Sequence, residues 1–242
     1  MNKIVFTGGS GMLGSKMKEL YPKARFPTSS ELNVTSYNNI DRYFAYNNSV
    51  RTLVHLAAYT DTKLCETTPH GAEKAIAVNI AGTAKLATWC NRHDVHMVYM
   101  STDFVYADGG EAKEYDPVDP INKYAWTKLG GEASVRLCNK YTIVRGSFGE
   151  DVFPYPKAYT DQYNSRLPVS EFAMRLKRVV DFGSPLGVIN VGGPKKSTFE
   201  YAKELRPDVE PMELGIVQGA YSYPNDTSLS TLLYGELFED EL

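Results

Sequence analysis

The sequence predicts an α/β protein: a doubly wound parallel sheet of the Rossmann type carrying a small C-terminal lobe. Three observations predict it. A β-prone run, Lys3 to Thr7, leads through a glycine string into a helical pattern ending near Leu20. Apolar strand-like runs then alternate with helical ones as far as Arg145, the pattern that builds a parallel sheet with helices on both faces. Small and polar residues gather at the downstream ends of those runs, where such sheets bind ligands.

Taken in order, the first element is the glycine turn. Its glycines fall at 8, 11 and 14. Gly8 permits positive φ, Gly11 lets backbone N–H groups approach a pyrophosphate at the helix N-terminus, and Gly14 allows close helix-to-strand packing. Ser10, Met12 and Leu13 complete this candidate cofactor loop. A second strand is expected near Ala24 to Pro27, its tip carrying the group that reads the adenosine ribose. An acid there favours NAD, whereas small polar or basic residues leave room for a 2′-phosphate. Thr28, Ser29 and Ser30 beside Arg25 favour NADP(H) over NAD(H), with Glu31 as the counter-signal.

A polar helix, Tyr37 to Tyr46, precedes a third strand, Thr52 to Ala58. Its small terminal residues Ala57 and Ala58, with Leu56, let a cofactor lie against the backbone, and His55 inside the apolar run reads as a core histidine with partners. Tyr59-Thr60-Asp61 form a loop. A long helix is expected from Pro69 to Asp94, with Asn79 on its apolar side, where a buried amide needs hydrogen-bond partners. Val95 to Met100 and Tyr141 to Arg145 give the fourth and fifth strands. The expected division is therefore a dinucleotide-binding domain over residues 1–148 and a substrate-capping lobe over 149–242. The lobe is too short for an independent core. Within it the pattern predicts helices at Ser170 to Val180 and Thr198 to Leu205, and one strand near 188–191 that returns to the main sheet.

The chemistry concentrates between Ser101 and Lys128. Ser101-Thr102-Asp103 directly follow the fourth strand, and Tyr124 and Lys128 stand four apart at the start of a helical pattern, on one face. A free phenol titrates near about 10, and a neighbouring ammonium is expected to stabilise phenolate and bring Tyr124 toward the working range. The Thr102 hydroxyl would supply a second donor. Tyr59 and Lys63 repeat the spacing, but in what reads as a loop. The bland alternative is a surface helix turn with a stacked Tyr and Lys, and position decides against it.

Composition excludes several classes. The chain has 242 residues, is 43% hydrophobic and carries a net charge of −3, with no run of like charges long enough to be a nucleic-acid tail. Nucleic-acid binding thus has no global electrostatic support. No apolar run approaches bilayer length, and Ile4-Val5-Phe6 is too short for a signal peptide, so a cytoplasmic location is expected. Three widely spaced cysteines, Cys65, Cys90 and Cys138, indicate free thiols and no metal site.

These motifs together resemble an extended short-chain dehydrogenase/reductase, and more narrowly the dTDP-4-dehydrorhamnose reductase family. The stretches that carry the resemblance are Thr7 to Gly14, Leu56 to Asp61 with Cys65-Glu66, Asn79 with Gly82-Thr83, and Ser101 to Tyr106. Pro120 to Glu132, Val144 to Phe148, Asp161-Gln162, Asn190 to Gly193 and Asp226 to Ser230 extend it over almost the whole chain. It implies hydride transfer from NAD(P)H to the C4 carbonyl of a nucleotide-linked 4-keto-6-deoxyhexose, in deoxysugar biosynthesis. Tyr124 would protonate the developing alkoxide, Lys128 hold the nicotinamide ribose and Thr102 hydrogen-bond the carbonyl oxygen. Asn33 and Val34 would meet the adenine, and Tyr59, Asn79 and Ser101 would join the cofactor site. Thr60, Asp103, Val105 and Phe148 would face the substrate.

Two departures stand out. Asn33 replaces a common Asp, and the segment between Phe148 and Tyr159 is short, which leaves a homodimer open as the assembly. A sibling class, the 4,6-dehydratases, needs an Asp-Glu pair after the threonine, but Phe104 follows Asp103 here. A 4-epimerase and a non-catalytic NADP-binding regulatory subunit remain as alternatives.

Overall fold

Five parallel strands form the centre of the molecule, in a computed structural model that describes residues 3–106, 109–215 and 223–238. They are β1 (Ile4–Thr7), β2 (Thr52–His55), β3 (His96–Met100), β4 (Tyr141–Gly146) and β5 (Gly187–Val191), side by side in that order. All neighbouring pairs run parallel. The inner strands are buried on both faces, so their sequences are near-continuous apolar runs and not alternating ones.

The second strand expected at Ala24 to Pro27 shrinks to a single parallel bridge between Val5 and Arg25. Phe6 N donates to Arg25 O at 2.8 Å and Arg25 N to Ile4 O at 3.1 Å. Pro27 has no N–H with which to extend the ladder, so pairing stops there. The chain still crosses to the far side of β1 before returning to β2, so the strand order reverses between β1 and β2 and opens a crevice at their carboxyl ends.

Helix α1 (Met12–Leu20) rises directly from the glycine turn. Gly8 sits at φ +72°, and a Cβ there would lie 2.6 Å from Ala57 N; a Cβ on Gly14 would lie 2.1 Å from Gly8 O. Only hydrogen fits at either place. Helix α2 (Tyr37–Ala45) starts at a Ser36 side-chain cap, and α3 (Thr62–Thr67) starts at Asp61, whose carboxylate accepts from Leu64 N. That short helix contains Lys63 but not Tyr59, so the rival Tyr/Lys pair does not share a helix.

The single helix expected from Pro69 to Asp94 is three segments: α4 (Pro69–Ala75), a π-helical stretch Ile76–Gly82, and α5 (Thr83–Arg92). Such a widening of the helix aims one side chain out of register, and here it is Asn79. Helix α6 (Lys123–Val135) begins at Asn122, whose side chain accepts from Ala125 N at 2.9 Å, so Tyr124 falls in the first turn and Lys128 in the next.

Helices α1 and α7 (Val169–Phe182) cover one face of the sheet; Phe6, Met17, Val144, Phe172, Leu176 and Ile189 share that core. The other face packs Val5, Leu53, Leu86, Trp89, Tyr99 and Ile143. Helix α8 (Thr198–Leu205) carries a capping box between Ser197 and Glu200, and α9 (Leu232–Phe238) returns to the first core through Tyr234. Two-residue and three-residue ladders fill the spaces around them: Phe148–Gly149 with Leu167–Pro168, Lys157–Tyr159 with Glu210–Met212, and Tyr163–Asn164 with Lys196–Ser197. Phe153, Ala158, Tyr201, Ala202 and Val209 make a small separate core there. All three cysteines are free and buried, and no helix of the described residues is long and apolar enough to cross a membrane.

Candidate active site

A cleft of about 780 Å³ runs along the carboxyl ends of the strands. At one end lie Gly8, Ser10, Gly11, Met12 and Leu13; Thr28, Ser29, Asn33 and Val34 form a flank, and Leu56, Ala57 and Ala58 the floor. At the other end stand Thr60, Ser101, Thr102, Asp103, Tyr124, Lys128 and Phe148. Most of the residues singled out in the sequence therefore line one cavity.

Three do not. The Val105 side chain is fully buried in a cluster with Tyr106, Ala112 and Leu229, because the 3₁₀ turn Asp103–Val105 points it inward. Asn79 and Tyr59 serve each other: Tyr59 N donates to Asn79 Oδ1 at 2.8 Å, and Asn79 Nδ2 donates to Tyr59 O at 3.0 Å and to Thr127 Oγ1 at 2.9 Å. The buried amide thus ties the loop after β2 to α6 and holds the cleft wall from behind.

The glycine end suits a dinucleotide. Helix α1 has no side-chain cap and no acidic residue in its first turn, so its leading N–H groups and dipole remain for an anion. Lys18 also lines the cleft. Glu31, by contrast, bends back on its own turn: its carboxylate accepts from Thr28 N at 2.7 Å and Thr28 Oγ1 at 2.9 Å, which holds its pKa below the usual range. It does not line the cleft. Asn33 Oδ1 accepts from Thr35 N at 3.0 Å and Thr35 Oγ1 at 2.8 Å, so the amide oxygen is committed to the local turn.

At the other end, the Thr102 hydroxyl accepts from Phe104 N at 3.2 Å and donates to Asp103 Oδ1 at 3.1 Å. Asp103 is buried and its other oxygen accepts from Thr227 Oγ1 at 2.7 Å; burial pushes its pKa up against these bonds and the Arg166 charge. The Tyr124 hydroxyl is pushed well above its ordinary pKa by burial first and then by Asp103 and Cys65. The expected acidification by Lys128 is not realised: the ammonium rests 4.2 Å from the centroid of the Tyr99 ring and is not among the groups acting on Tyr124. Burial lowers Lys128 itself to about 7, with Glu132 opposing.

Glu132, one turn beyond Lys128, is fully buried. It accepts from Arg145 Nη2 at 2.7 Å, Arg145 Nε at 3.0 Å and Ser101 Oγ at 2.5 Å. Arg145 Nη1 donates to Tyr106 Oη at 2.7 Å. This network pins β3, β4 and α6 together beneath Thr102. His55 is likewise fixed, between Thr7 Oγ1 at 2.7 Å and Thr83 Oγ1 at 3.1 Å, with burial lowering its pKa to about 3.

Sequence reasoning missed Arg166. It lines the cleft, its Nε donating to Ser147 Oγ at 3.2 Å, yet it comes from the sequence after residue 148, where no motif or periodicity marks it. Thr7, Gly146 and Ser147 also line the cavity, and each is simply the next residue to one the strand ends had pointed to.

Residues 1–155 match the family model described as the RmlD substrate binding domain. The chain belongs to that family. Among the RmlD relatives, the dTDP-4-dehydrorhamnose reductase of Mycolicibacterium smegmatis is 27% identical over 212 residues, covering 78% of this chain and 63% of that protein. The chain thus spans somewhat under two thirds of the length of this curated relative. A solved dTDP-4-dehydrorhamnose reductase from Bacillus anthracis, in complex with NADP, is similar at TM-score 0.85 and 23% identity, over 96% of this chain and 92% of that one. The Bordetella bronchiseptica enzyme WbmG in complex with NAD is similar at TM-score 0.77 and 20% identity, over 98% and 87%. These likenesses give the RmlD chain its fold: a parallel Rossmann-type sheet with flanking helices.

Proposed function

We propose that this chain is an NAD(P)H-dependent reductase acting on the C4 ketone of a nucleotide-linked 4-keto-6-deoxyhexose. The observation that carries the reading is one continuous cleft with an uncapped helix N-terminus at one end and Thr102, Tyr124 and Lys128 at the other. The coenzyme, when bound, supplies the hydride that turns the ketone carbon into a carbinol.

The chain's own residues do the rest. N–H groups of the first turn of α1 hold the pyrophosphate, and the small floor residues Ala57 and Ala58 let the coenzyme lie close. Thr28, Ser29 and Lys18 favour a 2′-phosphate, and Glu31, turned back on Thr28, does not oppose it; NADPH is therefore preferred over NADH. Tyr124 keeps its phenolic proton because burial and Asp103 disfavour phenolate, and a protonated phenol is what a reduction requires. That proton passes from Tyr124 Oη to the carbonyl oxygen. Thr102, turned from Asp103, is the second donor to the same oxygen. Lys128 holds the nicotinamide ribose, and Phe148 and Asp103 line the sugar end together with Arg166, from the segments after residue 148.

The test mixes the protein with NADPH or NADH and a dTDP-4-keto-6-deoxyhexose and follows absorbance of the reduced nicotinamide. Stoichiometric oxidation supports the reading. Tight retention of NAD through turnover with no net oxidation would instead make the protein a 4-epimerase.

A further inference from the structure

We infer that Tyr99 is a positioning residue: its ring face carries the Lys128 ammonium at the edge of the cleft, in the place a carboxylate would otherwise take. The inference rests on the role given to Lys128 above, but its geometry stands apart from any reaction.

The Lys128 side chain is 3% exposed, a depth at which an ammonium ordinarily pairs with an acid. Among the described residues it has neither a salt bridge nor a hydrogen-bond acceptor; what it has is the Tyr99 ring, 4.2 Å from Nζ to centroid. The acid best placed to capture it is Glu132, one helical turn on, where an i,i+4 pair would form. Glu132 is already taken by two Arg145 nitrogens and the Ser101 hydroxyl. Arg145 therefore keeps Glu132 from a direct pair with Lys128, and the aromatic face stabilises the charge without tying it into a directional bond. An ammonium held in this way stays free to donate all its N–H groups to ligand hydroxyls.

Tyr99 is itself built to stay still. It is fully buried in β3, and its hydroxyl donates to Lys128 O at 3.2 Å. One residue thus grips both the backbone and the charge of Lys128, from the strand that ends two residues before Thr102.

The experiment places phenylalanine and then mono-, di- and trifluorophenylalanine at position 99. Each step withdraws negative potential from the ring face with little change of shape. In the free protein, the Lys128 ε-methylene protons should be shifted upfield by the ring in wild type and Tyr99→Phe, and not in Tyr99→Leu. In the loaded protein, Tyr99→Phe, which gives up the bond to Lys128 O, is the reference against which the fluorinated rings are compared. The trifluoro variant and Tyr99→Leu should lose roughly 30-fold in coenzyme affinity, graded along the fluorine series. A flat fluorine series, or Lys128 methylenes that ignore the ring, overturns the inference. Failure of the wild type to bind coenzyme would sink the proposed function while the methylene shift still decides the role of Tyr99.

Discussion

Glu132→Leu should be among the most damaging single changes in the protein, and its size can be worked out from the geometry. The Glu132 and Arg145 side chains are 0% and 2% exposed and share two hydrogen bonds. Leucine at 132 leaves a guanidinium in the core with only Tyr106 Oη and Glu114 O as acceptors. Breaking a buried pair from one side costs about 3–5 kcal/mol, because the remaining charge is desolvated without its partner. The lost Ser101 bond adds about 1 kcal/mol. Against a total stability of about 5–15 kcal/mol, the variant should be close to unfolding. Removing both charges, as Glu132→Leu with Arg145→Met, leaves apolar atoms where the pair stood and should recover more than half of the loss. Urea denaturation followed by circular dichroism measures each term, and the double-mutant cycle gives the coupling. A single variant within about 1 kcal/mol of wild type, or a double variant as costly as the two singles summed, would refute the claim that this pair organises the ground beneath Thr102.

Further outcomes follow from other parts of the site. His55 is held neutral, its pKa lowered to about 3 by burial, so the unfolded chain binds the extra proton as pH falls through the ordinary histidine range and stability drops. From that shift, wild type should lose about 2 kcal/mol between about pH 7.5 and about pH 5, and His55→Asn less; equal losses in urea melts would contradict the assignment. Gly14→Ala must displace Gly8 O, so NAD(P)H affinity measured by fluorescence titration should fall by roughly 30-fold or more, and unchanged affinity would mean the glycine turn does not shape the coenzyme site. Arg166→Gln should raise KM for the nucleotide sugar about tenfold and leave the coenzyme Kd within about twofold, since its guanidinium faces the substrate end; the reverse split would move it to the coenzyme.

How much was legible in the sequence depends on the length scale of each signal. The strand, glycine turn and helix at the N-terminus, and the Tyr124/Lys128 spacing, are local patterns whose meaning is fixed by steric and helical periodicity, and the structure brings them to one cleft. Helix Thr198–Leu205 was legible to the residue, and the structure adds the capping box of Ser197 and Glu200 that starts it. The bridge at Arg25 was overread as a strand because a stretch as short as Ala24 to Pro27 looks alike whether one pair or four pairs form. The π-helical stretch around Asn79 was invisible, since moving the backbone hydrogen bond one residue further along leaves composition unchanged. Val105 was misplaced because a 3₁₀ turn rotates its side chain away from the cleft that Thr102 and Asp103 face. Lys128 was expected to act on Tyr124 from spacing alone, but which neighbour an ammonium meets depends on its rotamer and on Tyr99, a residue of another strand. Arg166 depended on how the chain after residue 148 folds back on Ser147, which no local pattern records.

The central claim is that Tyr124 and Thr102 deliver a proton and hydrogen bond to a ketone oxygen while hydride reaches its carbon. Its most direct test supplies NADPH deuterated at the transferring position and reads the deoxysugar product by mass spectrometry and NMR. The account predicts a single deuterium on C4 with wild type and a rate lowered about 10²- to 10⁴-fold with Tyr124→Phe. Product without deuterium at C4, or equal rates for the two proteins, would contradict it.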